Sequence, residues 1–172
     1  MKTTIVVGFN NSDAARAALD WAVQHATLTG GELLVIYVAS SIAEWELSAA
    51  QINPDPIRHE FERRLKAEWT APVRNASVAY RTRFTIGRPA DELMRAAREE
   101  QAAVIVIGMT ARGTLSELVW GSTQHELQHH AVRPVVAVPA SWNESGAPQF
   151  DLPTKVGVDN AATTSGSPEA AE

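Results

Sequence analysis

The 172-residue chain sets 15 Lys+Arg against 20 Asp+Glu for a net charge of -5, with 45% hydrophobic and 20% charged residues. That is the balance of one ordinary soluble domain with a full hydrophobic core. The acidic balance argues against broad electrostatic binding to nucleic acid, and the lack of any cysteine excludes disulfides, thiol catalysis and Cys-ligated metals. The opening TTIVVGF is too short an apolar run for a signal peptide and meets Asn10, Asn11, Ser12 and Asp13 at once. No run approaches the ~20 apolar residues of a membrane helix. A cytoplasmic protein without a membrane partner is the expectation.

Apolar periodicity then alternates between strand and helix. Residues 3–9 are a continuous β-branched run, as in a strand buried on both faces. Ser12 and Asp13 are suited to cap a helix over 13–29, which sets Ala14, Ala18, Trp21, Ala22 and His25 on one face. Gly30-Gly31 stops it, and 32–39 (ELLVIYVA) is a second buried strand. Residues 40–55 have no clean period and read as a loop or irregular helical turn, and the charged stretch 56–71 as a polar, exposed helix. Val78, Tyr80, Thr82, Phe84 and Ile86 alternate within 76–86, which predicts a half-buried strand at a sheet edge. Gly87 and Pro89 turn the chain into a helix over 89–100, with Pro in the first turn where its missing N–H is harmless. Residues 102–108 (AAVIVIG) are the most apolar strand and are expected at the sheet centre. A helix over 114–131 and a short strand over 133–139 (RPVVAVP) complete the series.

Composition changes after Pro139. Residues 141–172 are rich in Ser, Thr, Ala, Gly and Pro and poor in large aliphatics, so a folded domain over 1–140 with a disordered C-terminal tail is expected. Strands separated by helices imply a parallel sheet with right-handed crossovers and helices on both faces. Ligands of such sheets sit at the carboxyl ends of strands, where the strand order reverses. That singles out two loops, Gly8 to Ser12 and Gly108 onward.

The second loop, GMTARGTLSELVWGST, has Gly108 at a strand end, Gly113 inside it and Gly121-Ser122 read as a helix start. Glycines let backbone N–H groups approach an anion, and a helix N-terminus offers unpaired donors and a positive dipole end. The hydroxyls of Ser122 and Thr123 and the guanidinium of Arg112 are suited to phosphate oxygens. On spacing alone the glycines equally serve to turn the chain, with Ser122 as an ordinary cap. Neither Gly-Lys-Ser/Thr nor GxGxxG occurs.

The arrangement Gly108, Ala111, nine residues and Gly121-Ser122 resembles the G-x2-G-x9-G-[S/T] signature of the universal stress protein family, with Ala in place of the second glycine. TTIVVGFNNSDAARAALDWA is similar to that family's opening strand and helix, GRPADELMRAA to its Gly-x-Pro-Ala helix start, and RPVVAVP to its closing strand. The resemblance spans residues 2–139. It implies an α/β fold, Rossmann-like and akin to the adenine nucleotide alpha hydrolases, with five parallel strands in order 3-2-1-4-5. It further implies ATP, AMP or another adenine nucleotide as ligand, with or without Mg, and a homodimer, which we place at strand 133–139. By the resemblance Asn10 and Val38 would meet the base or ribose, and Gly108, Arg112, Gly113, Gly121, Ser122 and Thr123 would surround the phosphates. Asn10 stands where the family often has Asp.

His125-Glu126-Leu127-Gln128-His129 also fits HExxH, which sets two His on one helix face with Glu as general base beside a zinc-bound water. The third ligand of such a site is missing: His129 is followed by His130-Ala131-Val132-Arg133, and no later helix exists to supply a Glu. The competing reading is an exposed polar face with His near a helix C-terminus. The expected function is that of a nucleotide-binding stress regulator or switch rather than an enzyme, with at most slow ATP hydrolysis. A nucleotide-free dimeric adaptor of the same fold is the alternative, and a zinc hydrolase a remote one.

Overall fold

A computed structural model describes residues 3–40, 46, 49–109 and 117–142, and over 117–122 the backbone alone. Five strands, β1 (Thr4–Phe9), β2 (Glu32–Ser40), β3 (Tyr80–Gly87), β4 (Val104–Met109) and β5 (Val135–Pro139), form one sheet. All pairings are parallel and the order is β3-β2-β1-β4-β5, as expected. The central strand is β1 rather than β4. An uninterrupted apolar run reports two covered faces, and both strands have them.

The strand period of two divides the core into two layers. Ile5, Val7, Phe9, Leu33, Val35, Val104 and Val106 pack beneath α1 (Asp13–Thr29). Val6, Leu34, Ile36, Val38, Ile105 and Ile107 pack with Leu93 of α4 (Pro89–Glu99) and Leu127 of α5 (Glu117–His130). The small buried residues of α1, Ala14, Ala15, Ala18 and Ala22, let that helix sit low on the sheet. Ser12 caps it by accepting from the Ala15 amide, and Gly30 ends it at φ 68°, the left-handed conformation glycine adopts without strain.

Residues 56–71 do not form one exposed helix. Two short helices, α2 (Asp55–Arg64) and α3 (Ala71–Asn75), flank a π-helical segment, Leu65–Trp69. Phe61, Leu65 and Trp69 recur at four-residue spacing and turn inward together: Leu65 is 1% exposed, and Trp69 packs on Phe9 and Tyr37 at ring-centre distances of 5.7 Å each. The wide turn returns Trp69 to the sheet where a regular α-helix would have rotated it away.

β3 lies at the edge, as its half-apolar alternation predicts. On its α4 side Arg81 bonds Glu32 and Glu100, Arg83 bonds Glu99 and Glu100, and Thr85 bonds Glu92. These bonds tie the edge strand to both ends of α4 and to the start of β2. Past residue 140 the chain continues to Trp142, which packs against the α1-side layer. The expected tail from 143 on, and most of the irregular stretch 40–55, lie outside the described residues. Among the described residues no helix is long and apolar enough to cross a membrane.

The Arg81 bond, reinforced by the nearby charges of Arg81 and Arg83, holds the Glu100 carboxyl below the ordinary carboxylate range. A carboxyl depressed in the folded state stabilises above its unfolded pKa and loses that contribution as pH falls through its folded one. Glu100→Gln is therefore expected to lower stability at pH 7 by about 1 kcal/mol or less, since the pairs are partly exposed. Its urea-melt stability should also fall less steeply than the parent's between about pH 5 and pH 3.

Candidate functional site

β1 sits where the strand order reverses, so the crevice at its carboxyl end is the ligand position of an open α/β sheet. Three of the residues singled out by sequence meet there. Phe9 lies opposite Tyr37, which sets Val38 beside Asn10 just past the end of β1. The register Val7 to Val106 carries Gly108 and Met109 to the same level on the other side. β2 outruns β1 by three residues, Val38 to Ser40, paired there with β3.

Asn10 is tied to the start of α1. Its carboxamide oxygen accepts from the Ser12 amide (3.2 Å) and the Ser12 hydroxyl (2.7 Å). That hydroxyl accepts in turn from the Ala15 amide (3.1 Å). A backbone N–H only donates, so the carboxamide oxygen must face Ser12, and the –NH2 is the half with donors to offer a ligand. The Asn10 oxygen is thus already engaged at the helix start. Asn11 comes next at φ 63°, and its side-chain oxygen accepts from the Arg16 guanidinium at 3.0 Å.

The other expected site residues divide into three groups. Val38 is 7% exposed and packs its side chain in the α4-side layer, so only its backbone can face the crevice. Gly108 has a packing reason to be glycine: a Cβ there would lie 2.4 Å from the Ala14 carbonyl carbon. Arg112 and Gly113, with Ala111, lie outside the described residues. The described part of helix α5, Glu117–His130, lies within the expected 114–131, so Gly121 and Ser122 stand inside it and are not the helix start that the loop's spacing suggested. Gly and Ser are weak helix formers and read as a boundary, but propensity is only a weak prior inside a helix. Thr123 is 2% exposed, a buried polar residue.

No hydrolytic centre is assembled around the HExxH residues among the described residues. The Glu126 carboxylate is bonded by the Arg88 guanidinium from the start of α4. His125 and His129 are exposed with ring centres 4.4 Å apart. No group of three or more potential metal ligands occurs among the described residues.

Sequence reasoning missed a cavity of about 420 Å³ on the α1 side of the β1 end, lined by Phe9, Asn11, Arg16, Glu68 and Trp69 among others. Its one sequence signal was the four-residue spacing of Phe61, Leu65 and Trp69 inside the charged stretch.

A doubly wound parallel sheet with a polar residue at the end of its central strand defines a class of proteins that hold small ligands at strand ends. Residues 1–139 match the universal stress protein family, and the chain belongs to it. It is 26% identical over 147 residues to universal stress protein YxiE of Bacillus subtilis, covering 80% of this chain and 99% of that one. Among solved structures, a universal stress family protein from Burkholderia pseudomallei superposes with a TM-score of 0.60 at 28% identity, over 80% of this chain and 96% of that one. A universal stress protein in complex with cAMP matches in fold with a TM-score of 0.62 at 23% identity, over 81% of this chain and 98% of that one.

The Asn10–Ser12–Ala15 chain of bonds acts as one unit, which a double-mutant cycle can measure. Ser12→Ala is expected to cost about 1 kcal/mol as a lost cap, and Asn10→Ala a similar amount through its two lost bonds. The double variant should cost less than the sum by about 0.5 kcal/mol or more in urea melts.

Proposed function

We propose that the chain binds an adenine nucleotide in the crevice at the ends of β1 and β4 and acts as a stress-response switch rather than as an enzyme. The observation that carries this is the convergence of Asn10, the Val38 backbone and Gly108 at the switch point of the sheet. The family's solved structures support it: besides the cAMP complex, one from Archaeoglobus fulgidus holds dAMP and one from Arabidopsis thaliana holds AMP. In this reading the Asn10 –NH2 donates to the base or ribose, the Val38 backbone borders the base, and the phosphates run toward Arg112, Gly113, Gly121 and Ser122. ATP, with or without Mg, is one of the nucleotides it would take.

Calorimetry with ATP and AMP on the full chain tests this directly. The parent is expected to bind at least one of them, and absence of binding to either at millimolar nucleotide would overturn the proposal. Ser122→Ala should weaken affinity by on the order of ten- to a hundred-fold if its hydroxyl meets a charged oxygen. Gly121→Asp adds bulk and negative charge and should abolish binding, while the fold survives because Asp is no worse than Gly inside a helix. Asn10→Asp keeps the acceptor for Ser12 and removes the donors, so it should change affinity while leaving the melting temperature near the parent's. Gly108 is unsuited to such a test, because a side chain there would disturb α1 first.

We further propose a homodimer through β5, the second edge of the sheet. Val136 packs its side chain against the α1-side layer, so a charge there would confound interface with fold. The Pro134 carbonyl accepts from Ile105 on β4, and alternation along the strand turns the Ala137 N–H outward. Ala137→Pro removes that outward donor and is tolerated on an edge strand. It should shift the light-scattering mass from dimer to monomer with its melt preserved, and an unchanged dimer would move the interface elsewhere.

A further inference from the structure

We propose that His125 and His129 form a two-armed binding site for a late first-row divalent ion, Zn²⁺, Ni²⁺ or Cu²⁺, on the outer face of α5. The two residues are one helical turn apart and both exposed, with ring centres 4.4 Å apart and planes inclined at 60°. An imidazole nitrogen lies about 1.1 Å from its ring centre and about 2.0–2.1 Å from a zinc ion, so two rings sharing an ion have centres within about 6.4 Å. The observed pair falls well inside that limit, and small rotations of exposed side chains bring two nitrogens to one ion without moving the backbone.

The neighbours define what kind of site this is. His130 is rotated about 100° around the helix from His129, and their ring centres are 6.5 Å apart, so it is not the second arm. Glu126 sits between the two imidazoles in sequence but is engaged by Arg88, so it neither joins the ion nor activates a water on it. With no group of three or more ligands among the described residues, water would fill the remaining coordination positions. The site binds and clamps; it does not hydrolyse. Two neutral imidazoles suit copper, nickel and zinc and offer nothing to the oxygen-seeking Mg²⁺ and Ca²⁺. Because the arms stand on consecutive turns, an ion held between them would staple the last half of α5 in its helical form.

The test uses the untagged full-length chain titrated with Zn²⁺ alone by calorimetry, then with Cu²⁺ and Mg²⁺. One Zn²⁺ per chain is expected, with Cu²⁺ tighter and Mg²⁺ unbound. His125→Ala and His129→Ala should each weaken Zn²⁺ binding at least about tenfold, because a single arm loses the high local concentration of the second. His130→Ala should leave it within a factor of about two. Circular dichroism checks that α5 is retained, which the exposure of these side chains leads one to expect. The proposal fails if zinc is not taken up at submillimolar concentration, if binding survives either of the first two substitutions, or if His130→Ala weakens it equally.

Discussion

The first turn of α1 meets β4 backbone against backbone. A Cβ on Gly108 would stand 2.4 Å from the Ala14 carbonyl carbon and 2.6 Å from both its oxygen and the Ala15 nitrogen. No side chain can yield there, because the obstacle is main chain. The alanines of α1 and the bare α-carbon of Gly108 together let the helix descend onto the sheet across β1 and β4. That contact fixes three things at once: the end of the central strand, the start of the first helix and the exit of β4. The crevice between the strand ends has its shape because those parts cannot move independently.

The Asn10–Ser12–Ala15 bonds extend the same constraint to the loop. Asn10 commits its oxygen to the helix start, so its position is inherited from α1 rather than held by a ligand. A binding group positioned in this way loses little freedom when a ligand arrives, which favours affinity without further contacts. An aspartate in its place would leave an acceptor facing the crevice, where this chain presents donors.

Strands and α1 were legible because their periods are strong and their ends are punctuated: Ser12 and Gly30 bound α1, and Gly87 with Pro89 separates β3 from α4. The sheet order came with the family resemblance rather than from periodicity. The features that sequence misread share a cause, which is that tertiary packing chose among local options of similar energy. Gly121-Ser122 looked like a helix start because both residues disfavour helix interiors, yet α5 already includes Glu117. The stretch 56–71 looked solvated because charges outnumber its three inward-facing residues, and no local rule announces the wide turn that brings Trp69 onto Phe9. Gly108 was marked for its place in a phosphate motif, while the atoms that crowd it belong to the backbone of α1. Thr123 carried a suitable hydroxyl, but nothing in its sequence context tells an open crevice from a buried seat.

The two edges of the sheet are finished differently. β3 is fringed by Arg81 and Arg83, whose guanidinium groups are occupied by α4 and β2, and bringing another strand alongside would crowd charges together. β5 carries Val135, Val136, Ala137 and Val138 and no charge. A sheet that could add strands at both ends would be a unit of an endless ribbon. A sheet with one welcoming end stops growing as soon as two copies meet about a two-fold axis, since each has then used its only open margin. Under the proposed β5 dimer, the arginine fringe on β3 bears on how large an assembly can become, and not only on how firmly that strand is held.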